Sequence, residues 1–205
     1  LTLRKLIGWP GLLLPFLVRL LAWSYEPSLS DYYYTRSGVL FIAVCSLMGA
    51  FLISYRGYEK KENEAFSDNL VTWVGGIFIL LVVAVPTPLD CDGCPCPTPI
   101  CHQDKWLGII HFASAALFFV VMGYMSAFHF VRGDNFNDAK KRRNVVYRIA
   151  GFGMWAILVA TGLLLWLTDI KSSFAHFIFW VEVALLILFG ASWLVKSKAL
   201  QKVGL

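Results

Sequence analysis

Four of the five cysteines lie within eleven residues: Cys91, Cys94, Cys96 and Cys101, in PTPLDCDGCPCPTPICHQDKW, with His102 directly after the last. Thiols this close together pair as disulfides, ligate a metal as thiolates, or act as a redox couple. Cys91 and Cys94 have the C-x-x-C spacing of a zinc ligand pair, and His102 adds an imidazole. An iron–sulfur cluster would also take four thiolates. The C-P-C pair does not repeat the zinc spacing, and an oxidising compartment favours sulfur–sulfur bonds. Disulfides are therefore expected, with zinc or iron–sulfur on Cys91, Cys94, Cys96, Cys101 and His102 as the alternative. Four cysteines allow three pairings, and spacing does not choose among them. The prolines from Pro86 to Pro99 stiffen a connection that has no core of its own. Cys45 stands alone in an apolar block and reads as a small packing residue.

A second set of residues is gathered by topology rather than by spacing. Arg19 and Glu182 each interrupt an apolar block, and a charge inside a bilayer is costly unless it faces a partner or a wet space. Both fall roughly 9–12 Å from the same end of their blocks, at about 1.5 Å per helical residue. An Arg19–Glu182 ion pair is one expectation, and an Arg19 that snorkels outward is the other. His111 lies at a similar depth, with Ser114 on the same helical face. Asp31, His102, Asp169 and His176 lie at the adjoining ends.

Three chemistries fit such a group. Neutral imidazoles with Asp31 or Glu182 would hold zinc and activate water for lipid hydrolysis. His111 and His176 would ligate a haem axially. Without catalysis, the group would bind a lipid headgroup or relay protons. Neither H-x-x-x-H nor H-E-x-x-H occurs, and neither does the C-x-x-C-H of covalent haem attachment. His129, about 27 Å from His111 along one helix, stands outside the group.

The elements that must carry these residues are membrane spans. The 205-residue chain is 58% hydrophobic and 15% charged, with a mean hydropathy of +0.65. Soluble domains average about 45–50% apolar and about 25% charged residues. A hydrocarbon core about 30 Å thick takes roughly 20 apolar residues as a helix, and a helix satisfies its own backbone hydrogen bonds in lipid. Six blocks approach that length, at about 5–25, 37–55, 69–86, 106–131, 146–168 and 174–196. The third is short and holds Gly75 and Gly76, which let a neighbour approach closely. The first begins with Arg4 and Lys5 but shows no small-residue cleavage site, so it reads as a span rather than a signal peptide. The expected fold is all-α: a polytopic transmembrane six-helix bundle over residues 1–205, with a cysteine-rich extracytoplasmic loop at 87–105.

Lysine and arginine set the orientation. Fourteen of the 18 fall at one set of block ends: Arg4, Lys5, Arg56, Lys60, Lys61, Arg132, Lys140, Lys141, Arg142, Arg143, Arg148, Lys196, Lys198 and Lys202. Arg36, Lys105 and Lys171 fall at the other. Both termini are therefore expected in the cytoplasm. The net charge of +5 is a topology signal beside anionic headgroups, not a nucleic-acid footprint. The stretch 55–69 reads as a solvated turn with short helical character and 132–144 as a cytoplasmic loop, with Asp68 or Asn69 capping the third span. The run Tyr32–Tyr34 reads as part of an aromatic belt, with a polar lid or headgroup-binding loop as the alternative.

Six phrases occur in order: SLSDYYYT (28–35), YRGYEKKEN (55–63), PTP (86–88), IHFASAALFFVVMGYMS (110–126), KKRRNVVYRIAG (140–151) and EVALLILFGASWLVK (182–196). Together they resemble a group of small bacterial six-span integral inner-membrane proteins of unassigned activity. The resemblance implies a multi-pass protein of the bacterial inner (plasma) membrane. The cysteine-rich insertion at 90–101 departs from the short connection usual at that place. Two function classes follow. One is a non-enzymatic accessory subunit or lipid-binding module. Its partners would be membrane lipids and other membrane-protein subunits, met through the cysteine-rich loop and apolar helix faces. The other is an enzyme acting on a lipid or quinone at an outer-leaflet pocket of His111, Glu182, Arg19, Asp31, Ser114 and His176. A small transporter ranks behind both, because the cytoplasmic halves of the spans are largely apolar.

Overall fold

The structure is a computed structural model and describes residues 2–58, 60, 62, 64–89, 95–98, 100–132, 137–168, 170 and 174–197. Among the described residues, six α-helices are bounded: α1 (Thr2–Ala22), α2 (Gly38–Ile53), α3 (Asp68–Ala84), α4 (Lys105–Tyr124), α5 (Asp138–Leu167) and α6 (Phe177–Lys196). A 3₁₀ turn (Ser30–Tyr34) precedes α2, and a π turn (Met125–His129) extends α4. No strand occurs among the described residues. The helices α1, α4 with its π turn, α5 and α6 are long and apolar enough to cross a membrane. With 16 and 17 residues, α2 and α3 reach only about 24–26 Å.

Each helix packs on its neighbours in sequence, and α6 closes the ring onto α1. Consecutive helices run antiparallel. Gly49 of α2 lies against Leu80 of α3, while Gly76 of α3 lies against Ile53 of α2. At the closure, Arg4 donates to the Lys196 carbonyl at 3.4 Å. The starts of α1, α3 and α5 thus meet the ends of α2, α4 and α6 at a basic end. The 3₁₀ turn, with its three tyrosines, marks the opposite, tyrosine end.

Packing rather than hydrophobic transfer holds helices together in lipid, so backbone approach matters. A Cβ on Gly190 of α6 would meet the Gly8 carbonyl of α1 at 2.8 Å, and one on Gly151 of α5 would meet Ala127 N at 2.7 Å. Aromatic and thioether side chains fill the centre. Phe118 tilts against Phe189 at 5.4 Å, and Trp193 meets Phe130 edge-on at 5.0 Å. Met48, Met122 and Met154 are fully buried beside them. The helix α5 is the least enclosed, with 17% of its apolar window buried.

Capping moves several expected boundaries. The helix α5 begins at Asp138 rather than near 146, because the Asn137 side chain accepts the Lys140 amide at 2.8 Å. The KKRR run therefore lies on a helix and not in the expected loop 132–144. Ser67, not Asp68 or Asn69, caps α3 by accepting the Leu70 amide at 3.1 Å. Past the end of α1, Trp23 takes a left-handed φ of 59°, a conformation usually given to glycine at a helix end. Cys91, Cys94, Asp169 and residues 133–136 lie outside the described residues.

Candidate functional site

At the tyrosine end, the polar side chains fasten connections to helices. Glu182 of α6 accepts the Leu29 amide at 2.6 Å and the Ser30 hydroxyl at 3.4 Å. It thereby satisfies a donor that opens the 3₁₀ turn. Asp31 accepts the Ser28 amide at 3.2 Å through Oδ2 and the Thr87 hydroxyl at 3.1 Å through Oδ1. Tyr34 donates to the Thr87 carbonyl. Burial, reinforced by Tyr33 and Asp31, pushes its phenol up to about 12. These bonds stitch the 3₁₀ turn to the α3–α4 connection.

The histidines here also meet the backbone. His111 Nδ1 lies 2.7 Å from the Val85 carbonyl. A carbonyl only accepts, so Nδ1 carries the proton and Nε2 is left as an acceptor; that Nε2 is buried and has no partner. His102 Nε2 lies 2.7 Å from the Pro86 carbonyl, and its Nδ1 is likewise buried and unpartnered. Ser114 is buried on the His111 face of α4.

The expected Arg19–Glu182 ion pair does not form. Arg19 is exposed, donates to the Ser24 carbonyl at 2.9 Å and lies 4.7 Å over the Tyr25 ring. The chain reversal after α1 brings that carbonyl and ring back over the last helical turn, so the guanidinium turns outward. His176 stacks on Tyr25 at 3.7 Å and reaches its carbonyl at 3.3 Å. His111 and His176 are thus bonded to carbonyls on different connections. Beneath the 3₁₀ turn lies a cavity of about 40 Å³ bounded by Ser30, Cys45, Phe118 and Glu182, room for about three waters.

Of the loop thiols, Cys96 and Cys101 form a disulfide, and Cys45 is free and buried on α2. Among the described residues, no group of three or more His, Cys, Asp or Glu is placed to hold a metal ion.

The basic end holds a charged cluster that the sequence did not reveal. Asp68, the first residue of α3, is 2% exposed. Its carboxylate accepts the Tyr58 amide at 3.0 Å, pairs with His129 Nδ1 and meets Arg132 at 3.1 Å. Arg132 also meets Glu64 at 2.9 Å. The π turn makes this possible: the Phe130 amide bonds the Met125 carbonyl, five residues back, at 3.0 Å, and the extra residue rotates the foot of α4. In the same turn Ser126 donates to Ser192 of α6 at 2.9 Å. The available signal was one buried acid, one histidine and one arginine, all at block ends. Beside the cluster, a cavity of about 160 Å³ is faced by Arg4, Lys140, Arg143 and Lys196.

The chain matches no protein-family model, no curated protein and no solved structure. Fold and site instead define a class: an all-helical protein whose four long apolar helices are compatible with a membrane protein.

Proposed function

We propose that the chain is a six-span integral membrane protein of the bacterial inner membrane, akin to the six-span group it resembles. Its termini and basic end lie in the cytoplasm, and it works without catalysis as a lipid-contacting module or accessory subunit. The observation that carries this reading is how the tyrosine-end polar groups are used. Glu182, Asp31, His102, His111 and His176 each hold a backbone amide or carbonyl. An acid–base or metal site needs side chains converging on a shared point with room for a substrate. Here they diverge onto the chain's own connections.

The concentration of lysine and arginine at one end supports the orientation. The short α2 and α3 fit a locally thinned bilayer. Val159, Leu163, Trp166 and Leu167 leave an apolar face exposed on α5, suited to acyl chains or a second membrane protein.

The alternative, an enzyme acting on a lipid or quinone at the outer leaflet, rests on the two unpartnered ring nitrogens of His102 and His111. One pair of experiments separates the readings. A fluorescent protein fused after Ser197 should fold and fluoresce, while alkaline phosphatase fused there should stay inactive; the reverse refutes the orientation. Glu182→Ala and His111→Ala should lower the yield of folded protein. A lipid- or quinone-converting activity lost in both variants, with folding intact, would establish the enzyme instead.

A further inference from the structure

Asp31 and Glu182 both fasten the 3₁₀ turn, but of the two only Glu182 also lines the cavity beneath it. That cavity, about 40 Å³, is otherwise walled by Ser30, Cys45 and apolar side chains such as Leu14, Ile79 and Phe118. Helical spacing puts Glu182 on the same face of α6 as Phe179, Leu186 and Phe189, all buried. The carboxyl is therefore turned into the bundle. An ionised side chain there is costly unless an opposite charge meets it.

The groups that meet Glu182 are neutral. Oε2 accepts the Leu29 amide at 2.6 Å, and Oε1 has the weaker hold, the Ser30 hydroxyl at 3.4 Å. Arg19, the cation at this depth on α1, turns outward to the Ser24 carbonyl and the Tyr25 ring. His176, at the start of α6, is stacked on Tyr25. From α2 comes the Cys45 thiol. From the 3₁₀ turn comes Asp31, next in sequence to Ser30 and itself acidic. The walls from α3 and α4 are apolar, and α5 contributes none. No cation therefore faces this cavity among the described residues. An enclosed carboxylate without a counter-ion becomes neutral by taking up a proton.

We propose that Glu182 is a proton-binding site: its carboxyl holds a proton at neutral pH and presents it to the cavity. A neutral acid satisfies every contact. Its carbonyl oxygen, Oε2, accepts the Leu29 amide, while its hydroxyl oxygen, Oε1, accepts from Ser30 and donates to water. The cavity has room for that water. Unfolding frees the carboxyl to ionise in the ordinary range near about pH 4.3. The folded chain thus binds one proton more than the unfolded chain above that range, so stability falls as pH rises. The fastening of the 3₁₀ turn to α6 is strongest with the proton bound. This site goes beyond the lipid-contacting reading, and its proton does not depend on which end faces the cytoplasm.

The test is infrared spectroscopy of the full chain in detergent at about pH 7.5, where ordinary carboxyl groups are ionised. Circular dichroism and gel filtration verify folding. A protonated carboxyl has a carbonyl stretch well separated from the carboxylate bands. The wild type should show that stretch, heavy water should shift it, and Glu182→Gln should remove it. Glutamine keeps the shape, the neutrality and an acceptor for the Leu29 amide, so this variant should fold where Glu182→Ala does not. As a second readout, the Tm of the wild type should fall more steeply than that of Glu182→Gln between about pH 6 and about pH 9. A wild type without the acid band overturns the proposal. So does a band that persists in folded Glu182→Gln, or an equal pH dependence of the two Tm curves. Should Glu182→Gln fail to fold, Ser30→Ala decides: removing the neighbouring hydroxyl should displace the acid band, and an unmoved band overturns the assignment. The infrared result succeeds or fails independently of the orientation assay.

Discussion

Removing the Asp68 carboxylate tests the basic-end cluster most directly. Asp68→Ala deletes the acceptor of the Tyr58 amide and the partner of both His129 and Arg132. Arg132 keeps Glu64, but His129, 2% exposed, loses its carboxylate partner and keeps only the like-signed Arg132 beside it. Deleting one member of a buried pair costs about 3–5 kcal/mol. Asp68→Asn keeps the shape and an acceptor while losing the charge, so it should cost about 1.5–3 kcal/mol. In a chain of this length each kcal/mol lowers Tm by about 2–4 °C, so Asp68→Ala should lose about 6–20 °C. The assay is thermal unfolding of detergent-purified protein, followed by tryptophan fluorescence. A double-mutant cycle with His129→Ala should return a coupling of about 0.5–3 kcal/mol. Lys141→Ala is the control: its pair with Asp138 is 67% and 89% exposed, and its loss should cost no more than about 1 kcal/mol. A Tm within about 2 °C of wild type for Asp68→Ala, or strict additivity with His129→Ala, would refute the reasoning.

Three further outcomes follow from the packing, the tyrosine end and the sulfurs. Gly151→Ala pushes a methyl into the α4 backbone and should cost about 1–3 kcal/mol. Gly162→Ala meets nothing within 4 Å and should gain about 0.5–1 kcal/mol of helix stability, both read by thermal unfolding. The Tyr34 phenol titrates higher when folded than when unfolded, so its contribution is complete below about pH 10. It declines as pH rises towards about 12, and Tyr34→Phe should flatten that part of the stability–pH curve. With Cys91 and Cys94 replaced by serine, maleimide should label Cys96 and Cys101 only after reduction, and Cys45 only after unfolding. Labelling of Cys96 in native, unreduced protein would deny the disulfide.

Helices were legible because long apolar runs impose them, whatever their neighbours. Their ends were less so, because a single polar side chain sets each one. Asn137 starts α5 well ahead of its apolar run, and Ser67 starts α3 in place of the expected acids. The depths of Arg19 and Glu182 could be counted along the chain, but the direction each faces could not. Glu182 turns in towards Leu29, and Arg19 turns out over Tyr25. The Cys96–Cys101 pairing was among those that spacing left open. The cluster of Asp68, His129 and Arg132 was hidden, because an unbroken α-helical wheel gives His129 the wrong azimuth.

That azimuth has a wider consequence. The five-residue loop of hydrogen bonding at Met125–His129 leaves the α-helix above it and the π turn at its foot as two segments out of step with each other, by about 100° per added residue. The upper segment keeps time with the connection that holds His111. The lower one faces Asp68 of α3 and Ser192 of α6 together. A one-residue misfit thus acts as a clasp between the third and sixth staves of the barrel-like ring. Excising Ala127 would let α4 run true and, by doing so, unfasten both.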